Sequence, residues 1–259
     1  MFKFFFIQIY NYRLVLYQLT WQQLTVRYRK TALGFLWTLL NPLINMSVIA
    51  VVFSMVMRLP LKEFIVFYFS GAIAYNLFST TLSTGANALI GSEALLKKIY
   101  VPKQIFVLSN SLSLLIDGLI SAFSLLLILY FLGVNFGLTL MLVPIAYFLL
   151  FLFCFGLSLL LSVLSVYFRD IPNILTHLLA IGFYLTPILY PLEKMPSNFQ
   201  AIMQFNPLYY FVKLFRSIVY EQAIPSVQLI FFVTSMSIIT FLIGLVFFQK
   251  TQANTIYRL

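Results

Sequence analysis

Six apolar runs divide this chain, and they leave it few ways to fold. They cover residues 32–57, 64–89, 105–132, 138–165, 172–191 and 226–248. Each is close to or above the ~20 residues a helix needs to cross a hydrocarbon core of about 30 Å. Backbone polar groups in lipid must be satisfied within the segment, so such runs are expected as helices. The chain is 62% hydrophobic and 8% charged, against roughly 25% charged in soluble chains. A soluble fold could not cover that apolar surface with so few polar groups. The sequence therefore predicts an all-α integral membrane protein with six transmembrane helices in a single domain over residues 1–259.

Charge sets the expected orientation. Six spans place both termini on one side, and that side carries eleven Lys and Arg. The other side carries five: Arg58, Lys62, Lys194, Lys213 and Arg216. Cationic loops favour the cytoplasm, so both termini are expected there. The formal charge of +10 then points to anionic headgroups, with no nucleic acid implied. Lys3 stands alone before a Phe-rich start with no small-residue cleavage site, so no secretory signal is expected.

Polar residues inside the spans fall in stripes. A basic rim of Arg27, Arg29 and Lys30 meets the first span, where Gly34, Thr38, Asn41 and Asn45 recur at helical spacing beside Trp37. A membrane helix with amides and an indole on one stripe is built to face protein or water there. In the third span Asn110, Ser113, Asp117, Ser121 and Ser124 share a face. A charged Asp at mid-membrane costs about 2.5–3.5 kcal/mol, so this face belongs inside the bundle. It reads as an inter-helix hydrogen-bond stripe or, alternatively, as a polar lining or a proton relay through Asp117; no basic partner for Asp117 is evident. His177 is the only histidine and suits helix packing. Gly156, Ser158 and Ser162 suit close approach of helices. Cys154, the one cysteine, reads as a small buried residue.

Three elements are too short or too polar to span. Residues 4–28 place Phe6, Tyr10, Leu14, Tyr17, Trp21, Leu24 and Tyr28 on one helical face, with Gln8, Asn11, Gln18, Gln22, Thr25 and Arg29 opposite. This is an amphipathic interface helix, either a surface anchor or a partner contact. Residues 92–101 read as a short helix capped by Ser92, with Leu95, Leu96 and Ile99 for docking and Lys97 and Lys98 for charge. A solvated loop is the alternative. From 192 to 225, Ser197 and Asn206-Pro207 mark two short helix starts. The second helix carries Leu208, Phe211, Leu214, Phe215 and Ile218, and both read as re-entrant pieces, with an ordered outer loop the alternative. No phosphate-binding Gly-Lys-Ser/Thr loop, metal-ligand cluster or nucleophile elbow occurs in the sequence.

Five segments in order carry a family resemblance. They are residues 26–37 followed by Asn41-Pro42; Lys98-Ile99-Tyr100-Val101-Pro102-Lys103-Gln104-Ile105; Tyr167-Phe168-Arg169-Asp170-Ile171; Leu185 to Pro191; and Phe205-Asn206-Pro207-Leu208. Together they resemble permease subunits of type-2 ATP-binding-cassette exporters, in particular those of polysaccharides such as O-antigen, teichoic acid and capsule. The resemblance implies a homodimer in the bacterial inner membrane, paired with separate nucleotide-binding ATPase subunits. ATP-Mg would bind those subunits, with no cofactor or metal in this chain. It implies ATPase coupling through Glu93, Leu95, Leu96, Lys97, Lys98 and Tyr100, an outer gate over 192–225, and a lipid-linked glycan as cargo. Aromatic faces can stack on sugar C–H faces and amides can bond hydroxyl rims. The expected path residues are Trp37, Asn41, Asn45, Tyr68, Tyr75, Phe78, Tyr184 and Tyr190, with lipid-belt packing the alternative for the aromatics. An ion-coupled transporter using Asp117 is the competing class.

Overall fold

A computed structural model describes residues 2–29, 31, 33–58, 60–131, 133, 137–252, 255 and 258. Eleven α-helices occur among them: α1 (Phe2–Asn11), α2 (Arg13–Tyr28), α3 (Trp37–Met57), α4 (Leu61–Asn87), α5 (Glu93–Leu96), α6 (Lys103–Phe131), α7 (Val143–Tyr167), α8 (Ile171–Leu185), α9 (Ser197–Met203), α10 (Pro207–Val219) and α11 (Val227–Thr251). No strand appears among the described residues. Five helical stretches are long and apolar enough to cross a membrane, with α3, α4, α6, α7 and α11 as their bodies. The sixth apolar helix, α8, has only 15 residues, about 22 Å at 1.5 Å per residue. The span expected over 172–191 thus stops early as a helix. Pro187 follows Thr186, whose backbone is extended (ψ 135°), and a residue before proline is driven out of the helical region.

The α4 helix is the hub, packed by α3, α6, α7, α8 and α10. The densest pairing joins α7 to α11, and glycines permit it. A Cβ added at Gly244 would stand 2.1 Å from the Gly156 carbonyl oxygen. Lipid supplies no hydrophobic drive between helices, so such close backbone contact is what holds them. Ser158 reaches across to α4, donating to the Thr81 carbonyl at 3.1 Å beside Gly85. The expected packing role of Gly156 and Ser158 matches this geometry.

Two ends of the bundle can be told apart. At one end Gln104 donates to the Phe5 carbonyl (3.3 Å) and to Gln8 Oε1 (3.0 Å). There Lys103 also holds the Gln252 carbonyl and Thr255 Oγ1, the latter at 2.8 Å. Adjacent Lys103 and Gln104 so clamp the described tail and the N-terminal helix at what we term the terminal end. At the opposite end Lys62 reaches the Gly133 carbonyl (3.3 Å) and Thr139 the Ile218 carbonyl (3.0 Å). Loops expected on one side of the membrane therefore cluster together.

The N-terminal segment leaves both of its faces largely exposed, Asn11, Gln18, Gln22 and Thr25 among them. Phe6, Tyr10, Leu14, Tyr17 and Trp21 are all exposed, while Leu24 is buried. Gln23 faces the protein, donating to Ser109 (3.2 Å) and accepting from Ser113 (3.1 Å). The side chain of Tyr28 lies outside the described residues.

Local signals in the short elements fare unevenly. Asn206 caps α10, accepting from the Leu208 amide at 3.0 Å, and Pro207 opens the helix. Leu208, Phe211, Leu214, Phe215 and Ile218 are buried. Pro196 holds the cap position of α9, which puts Ser197 inside the first turn. Ser92 caps nothing with its side chain, and α5 shrinks to four residues between turns.

Candidate functional site

Between Phe64 and Ile90, all of them described, the exposed residues are Asn76, Thr80 and Asn87. A lipid-facing stretch of a spanning helix would expose apolar side chains. This one exposes amides and a hydroxyl on one helical face, with Ser83 and Thr84 beside them. That face of α4 is therefore turned to water, cargo or protein.

Three adjoining cavities run along it. The first, about 560 Å³ at the terminal end, lies between α2, α4, α5 and α6 and is lined by Gln22, Gln23, Ser83, Thr84, Asn87 and Asn110 among others. The second, about 470 Å³, shares Ser83 and Thr84 and adds Ser79, Thr80 and Thr176. The third, about 360 Å³, shares Thr80 and holds Trp37, Thr38, Asn41, Asn45, Tyr68 and Asn76. Arg27 lines all three.

Arg27 forms an ion pair with Asp117 of α6. No local pattern marks this pair, because the partners are 90 positions apart. A carboxylate at this depth is expensive alone, and a guanidinium within contact offsets much of that cost. Ser121, one turn on, donates to the Asp117 carbonyl at 2.9 Å and lines the third cavity. The α6 stripe is therefore half inter-helix contact and half cavity wall.

The expected path residues separate into two groups. Trp37, Asn41, Asn45 and Tyr68 meet in the third cavity. Gly34 drops out of their helical stripe: it adopts φ +51°, a left-handed backbone, in the turn before α3. Tyr75 points instead to α8, donating to the Leu179 carbonyl. Phe78 stacks on Phe153 at 6.2 Å in the core. Tyr184 is 66% exposed on α8, and it is its neighbour Phe183 that lines the cavity. Tyr190 donates to the carbonyls of Tyr184 (3.1 Å) and Leu185 (2.9 Å), bracing the loop after α8.

At the terminal end Leu95, Ile99 and Tyr100 are exposed beside Lys97 and Lys98. Leu96 instead packs toward the second core cluster. Glu93 accepts from Lys97 at 2.6 Å, and that hydrogen bond holds its carboxyl below the usual range. Arg29 is exposed at the end of α2, and Lys30 lies outside the described residues.

At the opposite end Arg216 holds a place that its spacing in the sequence does not mark. Its Nη2 donates to the Ile188 carbonyl at 2.9 Å, and burial pushes its guanidinium down to about 10. It closes a cavity of about 340 Å³ with Glu63, Glu193 and Glu221.

The ABC-2 type transporter model matches residues 15–220. The chain belongs to the ABC-2 type transporter family. Among curated ABC-2 relatives, the O-antigen export system permease protein RfbA of Myxococcus xanthus is 31% identical over 90% of each chain. A Klebsiella pneumoniae protein of the same name is 28% identical over 90% of each. The polysialic acid transport protein KpsM of Escherichia coli is 23% identical over 89% of this chain and 91% of its own. ABC-2 permeases of polysaccharide export work with a separate ATP-binding subunit. This family member is accordingly a multi-pass bacterial membrane protein.

Proposed function

We propose that this chain is the transmembrane subunit of an exporter that carries a lipid-linked, O-antigen-like polysaccharide across the bacterial inner membrane. Two copies pair with two ATPase subunits that bind ATP-Mg, and both termini lie in the cytoplasm. The observation that carries the reading is the polar face of α4, lined by three adjoining cavities of hydroxyls and amides. Sugar hydroxyls both donate and accept, and amides and hydroxyls can answer either role without a charge-specific trap. The Trp37 and Tyr68 rings offer faces for sugar C–H surfaces. In this reading the segment around α5 docks the ATPase, with Glu93, Leu95, Lys97, Lys98 and Tyr100 at the contact. The α9 and α10 helices, of 7 and 13 residues, dip into the outer leaflet and gate the exit.

The test is complementation. The chain, co-expressed with its ATPase, is placed in a host lacking its own O-antigen export permease and carrying the chain's native glycan genes. Surface glycan that appears only with both subunits supports the reading. Surface glycan with the ATPase omitted would favour an ion-coupled transporter.

A further inference from the structure

The lining of the three cavities carries a second piece of information: its charge. Among the described lining residues, Arg27 and Asp117 are the charged ones, and they neutralise each other. Every other polar contributor is an amide, a hydroxyl or an aromatic with a polar atom. Asn76, Thr80, Ser83, Thr84 and Asn87 supply this on α4, and Gln22, Gln23 and Asn110 on α2 and α6.

Three other described cations are engaged elsewhere. Lys62 reaches Gly133, Lys103 holds the tail, and Arg216 is tied to Ile188 and closes the far cavity. None of them lines the three cavities. An anionic sugar entering the track would give up water for partners without a free positive charge. Dehydrating an unpaired carboxylate in such surroundings is costly, and the cost repeats for each charged residue of a polymer. A neutral sugar exchanges water for amide and hydroxyl partners at little net cost.

We infer that the track selects glycans whose residues in the membrane-embedded stretch are uncharged, with the Arg27–Asp117 pair as the device that keeps the lining neutral. This rests on the reading of the three cavities as the glycan path. It divides this chain's cargo from acidic polymers, the class named in the KpsM relative.

Cysteine protection tests the idea at the site itself. The chain carrying Ser83→Cys in a Cys154→Ala background is reconstituted with its ATPase in nanodiscs. The probes are a neutral N-acetylglucosamine trimer and a galacturonic acid trimer. Each is titrated at low salt while the rate of labelling at position 83 is followed with a small uncharged thiol reagent. The neutral trimer is expected to protect position 83, and the acidic trimer to need at least about tenfold more for equal protection. Adding Asn76→Arg or, in a separate protein, Asp117→Asn is expected to shift the acid-to-neutral ratio toward the acid by roughly tenfold, and added salt to shrink that shift. Equal or better protection by the acidic trimer would overturn the charge selectivity while leaving the path intact. Protection by neither trimer would overturn the path reading and the selectivity with it.

Discussion

The Arg216 guanidinium lies 3.7 Å from the centroid of the Phe67 ring. It thereby ties α10 to α4, while its bond to the Ile188 carbonyl ties both to the loop after α8. Removing the charge leaves that carbonyl without its donor and the ring without its cation. Arg216→Gln is expected to cost about 2–4 kcal/mol, read as a lower melting temperature in detergent. Wild-type stability is expected to be flat from pH 6 to 9 as far as this group is concerned. Burial, the main cause, pushes its guanidinium from the ordinary arginine range down to about 10. The cost of burying the charge is thus present throughout that window and is relieved only as pH rises through about 10.

Gly244 and Gly156 make a second structural prediction. Gly244→Val would drive a side chain into the Gly156 backbone. The α7–α11 pair must then separate, at about 1–3 kcal/mol or more. Reduced folded yield on size-exclusion chromatography checks this. Retained yield and melting temperature would contradict the close packing.

For the ion pair, Arg27→Gln and Asp117→Asn are each expected to destabilise by about 1.5–3 kcal/mol. The double variant is expected to recover more than half of the summed loss, since no charge is then stranded. A proton relay makes a different forecast: Asp117→Asn would abolish transport, and an uncoupler would stop it at constant ATP. ATP-driven export that persists under an uncoupler supports the pair as a structural and electrostatic element.

At the terminal end Tyr100 is 95% exposed, so its ring contributes little to the isolated fold. Tyr100→Ala with Ile99→Ala is expected to weaken ATPase association at least about tenfold, within the range of interface anchors. The melting temperature of the chain alone should stay within a degree or two. Leu96 is unsuitable for this test because it packs inward, so changing it would confuse docking with folding.

Much of this arrangement was legible beforehand. Cap and proline chemistry at Asn206-Pro207, the buried face of α10 and the clustering of loops at two ends follow from local rules. Placement of faces within the apolar spans was harder. Tyr75 and Phe78 flank the polar face of α4 and Tyr184 ends the apolar run of α8, and the spacing of aromatics alone does not say which of them meets a neighbouring helix. The polar run Asn76, Thr80, Ser83, Thr84 and Asn87 stands at helical spacing in the sequence, and it marks the cavity face where the aromatics do not. The Arg27–Asp117 pair could not be read locally, because it depends on how α2 leans on α6.

The central claim is that the Asn76 face of α4 and the Asn41 face of α3 line the glycan path. Single cysteines at 37, 41, 45, 76, 80, 83 and 87, and at 74, 78 and 82 as controls, can be scanned in the Cys154→Ala background. Labelling by a small water-soluble thiol reagent is compared with and without ATP-driven export of the native glycan. The first set is expected to react, glycan in transit to slow its labelling, and the controls to stay inert. Equal labelling of both sets, or labelling at 41, 76 and 80 that export leaves unchanged, would contradict it.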